Sequence, residues 1–145
     1  MRLSIIIPAF NEESYLPATL DAIEVATAHL LNRDDVDVEI IVVDNNSVDR
    51  TADVARGKGA KVVDEEVQRI SRARNTGAHH AKGDVLVFVD ADVLMPQCLL
   101  TKINSVMSDS DCVGGGVDVE YHPKRRTMRI YLGIWRVLVR LTDMV

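Results

Sequence analysis

The sequence predicts an α/β fold, a mostly parallel sheet flanked by helices. Short apolar runs alternate along the chain with stretches of helical periodicity. In Glu39-Ile40-Ile41-Val42-Val43 the four residues after Glu39 are apolar on both faces, as in the middle of a parallel sheet. Val85-Leu86-Val87-Phe88-Val89 is apolar throughout and reads as a buried strand. Polar groups gather directly after three of the runs, where ligands of such sheets bind beyond the carboxyl ends of the strands.

The elements follow in order. Leu3-Ser4-Ile5-Ile6-Ile7 is the first strand, ended by Pro8. Leu16, Leu20, Ile23, Ala26 and Leu30 recur at helical spacing and predict a helix over Glu13 to Leu31. Pro17 is tolerated there because it falls near the first turn. Glu39 to Val43 is the second strand; a short helix from Asp49 to Lys58 is closed by Gly57 and Gly59. Lys61-Val62-Val63 is the third strand. The next helix, Ser71 to Ala81, has an inner face of Ala73, Gly77, Ala78 and Ala81, small enough for a neighbouring backbone to approach closely. Val85 to Val89 is the fourth and most hydrophobic strand. Pro96 opens a helix carrying Leu99, Leu100, Ile103, Val106 and Met107, and Cys112 to Tyr121 alternates like a fifth strand.

Composition bounds the function. A chain of 145 residues, 47% hydrophobic and 27% charged, has the make-up of one folded domain, and no linker or repeat divides residues 1–145. A net charge of −5 supplies no general affinity for nucleic acid, so an anionic ligand needs local basic residues or a metal ion. Cys98 and Cys112 lack the spacing of a zinc site or disulfide framework and fit a reducing, cytoplasmic setting. The N-terminal apolar run is too short for a signal peptide. Met128 to Val145 is interrupted by Arg129, Arg136 and Arg140 and does not read as a membrane span.

The strand ends carry the chemistry. Asp90-Ala91-Asp92 places two carboxylates one residue apart after an apolar strand, and they repel unless a cation or hydrogen-bond donors lie between them. Magnesium or manganese bridged to a ligand's phosphates fits that arrangement; strand termination by Asp90 and helix capping by Asp92 is the plainer alternative. In Asp44-Asn45-Asn46-Ser47-Val48-Asp49, Ser47 or Asp49 fits a helix cap. Asp44 is left to accept hydrogen bonds from a nucleobase or ribose. Pro8-Ala9-Phe10-Asn11-Glu12-Glu13 joins the first strand to its helix without a glycine. Neither G-x-G-x-x-G nor G-x-x-x-x-G-K-[ST] is present, against a nicotinamide dehydrogenase or a P-loop enzyme.

Four runs in this order, Ser4 to Glu13, Val42 to Thr51, Ala73-Arg74-Asn75-Thr76-Gly77 and Gly83 to Asp92, resemble the family 2 glycosyltransferases, inverting enzymes of the GT-A fold. The resemblance covers Leu3 to Glu120. It implies a Rossmann-like nucleotide-diphospho-sugar transferase fold, a UDP- or GDP-sugar donor and a Mn2+ or Mg2+ ion. Carried over by position, Pro8, Ala9, Phe10, Asn11 and Glu12 hold base and ribose, and Asp44 bonds the base, with Asn46 beside it. Asp90 and Ala91 lie near the ribose, while Asp92, with Asp90, ligates the metal. Arg69, Arg72 and Arg74 are the basic candidates near the nucleotide, and Arg74 falls within the matching run.

An inverting transferase needs a base to deprotonate the acceptor hydroxyl. In the family it lies well beyond the acidic pair, so it is expected past Val145; Asp118, Glu120 and Asp143 are weak substitutes. The C-terminal acceptor part is therefore expected to be missing, and a truncated, catalytically inactive donor-binding module is the alternative to a transferase. The acceptor, a glycan, lipid or small molecule, is unspecified. Residues 125–145 suit packing against a missing segment, self-association or peripheral contact with the cytoplasmic face of a membrane. His29, His79, His80 and His122 read as structural.

Overall fold

Four strands pair in parallel: β1 (Arg2–Ala9), β2 (Asp37–Asp44), β3 (Lys61–Asp64) and β4 (Val85–Phe88), in the order β3-β2-β1-β4. The structure, a computed structural model, describes residues 1–117. Met1–Val113 makes one unit; residues 114–117 belong to a second and carry no regular secondary structure. Four helices complete the first unit: α1 (Leu16–Leu31), α2 (Thr51–Gly57), α3 (Ile70–His80) and α4 (Leu99–Met107).

Strand alternation divides the core in two. Leu3, Ile5, Ile7 and Val42 share one cluster with Leu16, Leu20, Ile23 and Leu30 of α1, Ala55 of α2 and Leu100 of α4. Ile6, Ile41 and Val43 meet Ala73 of α3 on the other face, with Ala78 and Ala81 packed at its edge. Ile5, Ile6 and Ile7 have no exposed surface. Each contributes about 1.5–3 kcal/mol of hydrophobic stabilisation. The small inner face expected of α3 is present, and Gly77 is its closest point: a Cβ there would lie 2.3 Å from Ile6 Cγ2.

Beneath the sheet, Gly83 closes a polar knot. Its N–H donates to Ser4 Oγ (2.8 Å), and Ser4 Oγ donates to Glu39 Oε1 (2.6 Å). Lys82 N donates to the same carboxylate oxygen. Burial alone would push the Glu39 carboxyl up, but these hydrogen bonds, with Arg2 and Lys61 nearby, hold it below the usual range.

Several expectations change. Pro8 does not end β1, which pairs with β2 as far as Ala9↔Asp44. Pairing with β4 stops at Ile6↔Phe88, followed by Val89 N donating to Ile6 O. Ile6 thus faces β4, and Pro8, two residues on, faces the same way with no N–H to donate. The two strands part there. Among the described residues β4 is an edge strand rather than the buried strand expected: Leu86 is 40% exposed and Phe88 46%. Pro96 precedes α4 by a turn, its carbonyl accepting from Leu99 N. Residues 112–117 form no strand, because Gly114-Gly115-Gly116 bring no side chains to pack across a ladder; positions 118–121 of the expected fifth strand lie outside the described residues.

Candidate functional site

Strand β1 leads to β2 on one side of the sheet, and the chain later returns to place β4 on the other side. The carboxyl ends of β1 and β4 therefore flank the topological switch point, where sheets of this kind open a crevice. Four loops reach this end: 10–15 after β1, 45–50 after β2, 65–69 after β3 and 89–98 after β4.

The first two loops are tied together. Asn11 N donates to Ser47 Oγ (3.0 Å), and Val48 N returns a bond to Asn11 Oδ1 (2.9 Å). Glu12 N donates to Thr51 Oγ1 (2.8 Å), Glu13 N to Asp49 Oδ2 (3.1 Å), and Arg50 N to Glu13 Oε2 (3.0 Å). Asn11 and Asn46 take left-handed backbone conformations, φ 55° and 64°, which asparagine tolerates better than most residues. Asp49 also accepts from Thr51 N at the start of α2 (2.9 Å). Burial raises the Asp49 carboxyl, yet the bonds from Thr51 and Glu13 hold it below its ordinary value. The side-chain oxygen of Asn11 thus serves this clamp, and its neighbours Phe10 and Glu12 are left at the crevice.

Asp44 ends β2 and is 9% exposed. Its Oδ1 is buried and has no hydrogen-bond partner among the described residues. Next to it, Asn45 N donates to Ala9 O (2.8 Å), while Asn45 Nδ2 donates to Glu65 O (3.1 Å) and Val67 O (2.7 Å). Glu65 in turn accepts from Thr76 Oγ1 (2.6 Å) and Val67 N (2.9 Å). Those bonds and the nearby Arg72 hold its carboxyl low against the effect of burial. Asn45, Glu65 and Thr76 fix the loop before α3, a role that no sequence pattern marked.

Past β4, Ala91 is buried while Asp90 and Asp92 on either side are exposed. Arg74 of α3 reaches Asp90, Nη2 to Oδ1 at 2.8 Å. Arg72 approaches Glu65 instead, at 3.7 Å, so Arg74 is the basic candidate brought to the acidic pair. Glu12 has its carboxyl raised by burial first, then by the negative charges of Asp92 and Asp49. Glu12, Asp90 and Asp92 offer only hard oxygen donors, the set preferred by magnesium and manganese. No group of three or more His, Cys, Asp or Glu among the described residues is assembled to hold a metal. An ion here would thus take one or two carboxylates and draw its remaining oxygens from phosphate and water.

A separate, open depression of about 600 Å³ lies by Arg33, Asp34 and Asn104, beyond the far end of α1. Being at the opposite end of α1 from the 10–15 loop, it stands apart from this chemistry.

The family model described as glycosyl transferase family 2 matches residues 4–143. The chain belongs to glycosyl transferase family 2. The family 2 chain is 40% identical over 98 residues to the 4,4'-diaponeurosporenoate glycosyltransferase of Staphylococcus haemolyticus, covering 63% of this chain and 24% of that protein. Its fold matches the mannosyltransferase PcManGT of Pyrobaculum calidifontis, solved with GDP-Man and Mn2+, with a TM-score of 0.65 and 26% identity over 74% of this chain and 32% of that one. Glucosyl-3-phosphoglycerate synthase of Mycobacterium tuberculosis, solved with Mn2+, UDP and glucosyl-3-phosphoglycerate, matches with a TM-score of 0.58 and 25% identity over 72% and 39% of the two chains. These neighbours give the sheet its name, the GT-A fold. The family 2 chain spans from about a quarter to two-fifths of the length of these three proteins.

Asp118, Glu120, Asp143 and the 125–145 tail lie outside the described residues. Among the described residues no helix is long and apolar enough to cross a membrane.

Proposed function

We propose that this chain forms the donor site of a glycosyltransferase that moves a sugar, with inversion, from a UDP- or GDP-sugar to an acceptor hydroxyl. The observation that carries this reading is the exposed pair Asp90 and Asp92 around buried Ala91, at the switch point, near the Glu12 carboxyl that burial and then the Asp92 charge raise. Such a cluster is electrostatically incomplete alone and suits a divalent cation on a diphosphate. Family membership and the two Mn2+-bound neighbours support the same choice.

In this reading the loop of Pro8, Ala9, Phe10, Asn11 and Glu12 lies under base and ribose, and Asp44 and Asn46 meet the base. Asp90 and Ala91 border the ribose. Asp92, assisted by Asp90, would hold Mn2+ or Mg2+, and the ion would supply positive charge to neutralise the diphosphate. Arg74, whose pairing with Asp90 brings it to the acidic pair, would meet the phosphate charge in this reading. Deprotonation of the acceptor falls to a base that none of the described residues provides in this account.

Calorimetric titration with UDP and GDP, with and without Mn2+, tests the site. Metal-dependent binding of one diphosphate is expected, weakened at least tenfold by Asp92→Ala, the effect of losing about 1.4 kcal/mol. Binding indifferent to both metal and Asp92 would overturn the assignment. Donor binding without transfer to any offered hydroxyl would favour the non-catalytic module.

A further inference from the structure

Thr19 lies in the second turn of α1, is 1% exposed, and sits among the apolar side chains of that helix. Its hydroxyl donates to Ala91 O at 2.7 Å, across 72 residues of sequence. The carbonyl of Tyr15 one turn back stands 3.5 Å away, at the limit of a hydrogen bond, so the single hydroxyl proton belongs to Ala91. This bond holds the peptide between Asp90 and Asp92. The Ala91 side chain packs in the core cluster with Leu16 and Met95, and Val93 N closes the turn on Asp90 O (3.3 Å).

From this geometry we infer that Thr19 is a positioning residue for the acidic pair: its hydroxyl fixes the Ala91 peptide and thereby the spacing of the Asp90 and Asp92 carboxylates. The inference rests on the donor-site reading for its consequence, and on the hydrogen bond alone for its structural part. A hydroxyl on an otherwise apolar helical stripe needs a partner, and the partner here is the backbone carbonyl of Ala91, which lies between the exposed carboxylates of Asp90 and Asp92. Outer partners of this kind typically set metal affinity without touching the metal.

Paired variants separate hydroxyl from methyl. Thr19→Val keeps the shape and removes the donor, whereas Thr19→Ser keeps the donor and removes the methyl. Mn2+-dependent binding of UDP or GDP by the full chain should weaken about tenfold in T19V, the low end for loss of an outer partner, and stay near wild type in T19S. Nucleotide binding without metal should change little in either. Amide hydrogen exchange supplies a readout independent of metal: the Val93 amide should exchange faster in T19V but not in T19S, while the middle of α1 is unchanged. Wild-type Mn2+ affinity and wild-type Val93 protection in T19V would overturn the inference, as would a defect confined to T19S. If the wild-type chain shows no metal-dependent nucleotide binding, the donor-site reading fails, and the exchange result alone decides whether Thr19 holds the turn. Should T19V not fold, T19S still decides, since loss of metal affinity with the hydroxyl retained contradicts the proposal.

Discussion

Gly77→Ala should loosen the helix that carries Arg74. A Cβ at this position would lie 2.3 Å from Ile6 Cγ2 and 3.0 Å from Val43 Cγ2. Both neighbours are wholly buried, on the two central strands, so neither has free volume to turn into. Overpacking of a tight core costs about 1–3 kcal/mol, and the shortness of this contact puts the variant at the upper end. Alanine recovers about 1 kcal/mol of helix propensity over glycine. The net expectation is a loss of about 2 kcal/mol, a fall in melting temperature on the order of 10 °C for a unit of this size. Urea and thermal unfolding followed by circular dichroism measure it. Because α3 must lift from the sheet, the Arg74–Asp90 pair at 2.8 Å should also lengthen. A variant as stable as wild type, or more so, would refute the claim that α3 is seated by close backbone approach.

Three further outcomes follow from the site. Since burial and the Asp92 charge raise the Glu12 carboxyl, the folded state binds its proton more readily than the unfolded chain, so Glu12 lowers stability as pH rises through its folded pKa. Mn2+ affinity should rise over that same interval, and Glu12→Gln should remove this step from a calorimetric pH series. Asp49, held low, contributes stability above the ordinary aspartate range that is lost as pH falls through its folded pKa; Asp49→Ala should cost about 1–2 kcal/mol at neutral pH by urea unfolding, with a smaller difference in acid. Arg74→Ala should change stability by less than about 1 kcal/mol, since the pair with Asp90 is largely exposed, but should weaken diphosphate binding and flatten its salt dependence.

Much of the fold was legible because the apolar runs carry strand and helix periods cleanly. The Ile5-Ile6-Ile7 run is covered on both faces, and the small residues Ala73 and Gly77 do face the sheet. The Val85–Val89 run is misleading: it reads as the most hydrophobic, buried strand, yet Leu86 and Phe88 are exposed at the sheet edge among the described residues. Periodicity reports what a strand is fit to bury, not which neighbours this chain places beside it. Pro8 was misplaced as a terminator because its missing N–H matters only on the β4 side. Candidate site residues were found through their places at strand ends. Their supports were not: Asn45, Glu65 and Thr76 act through bonds across loops, and a glutamate beside Glu66 carries no local mark. Thr19 alone had a signal, a hydroxyl on the stripe of Leu16, Leu20 and Ile23, and that stripe was read for its apolar members.

Residue-resolved NMR with substoichiometric Mn2+ and UDP or GDP tests the central claim most directly. If the crevice between β1 and β4 holds a metal-bound diphosphate, amide signals of Phe10 to Glu12, Asp44 to Asn46 and Asp90 to Val93 should broaden first, and Asp92→Ala should abolish the effect. Selective broadening elsewhere, or broadening that Asp92→Ala leaves intact, would contradict the account.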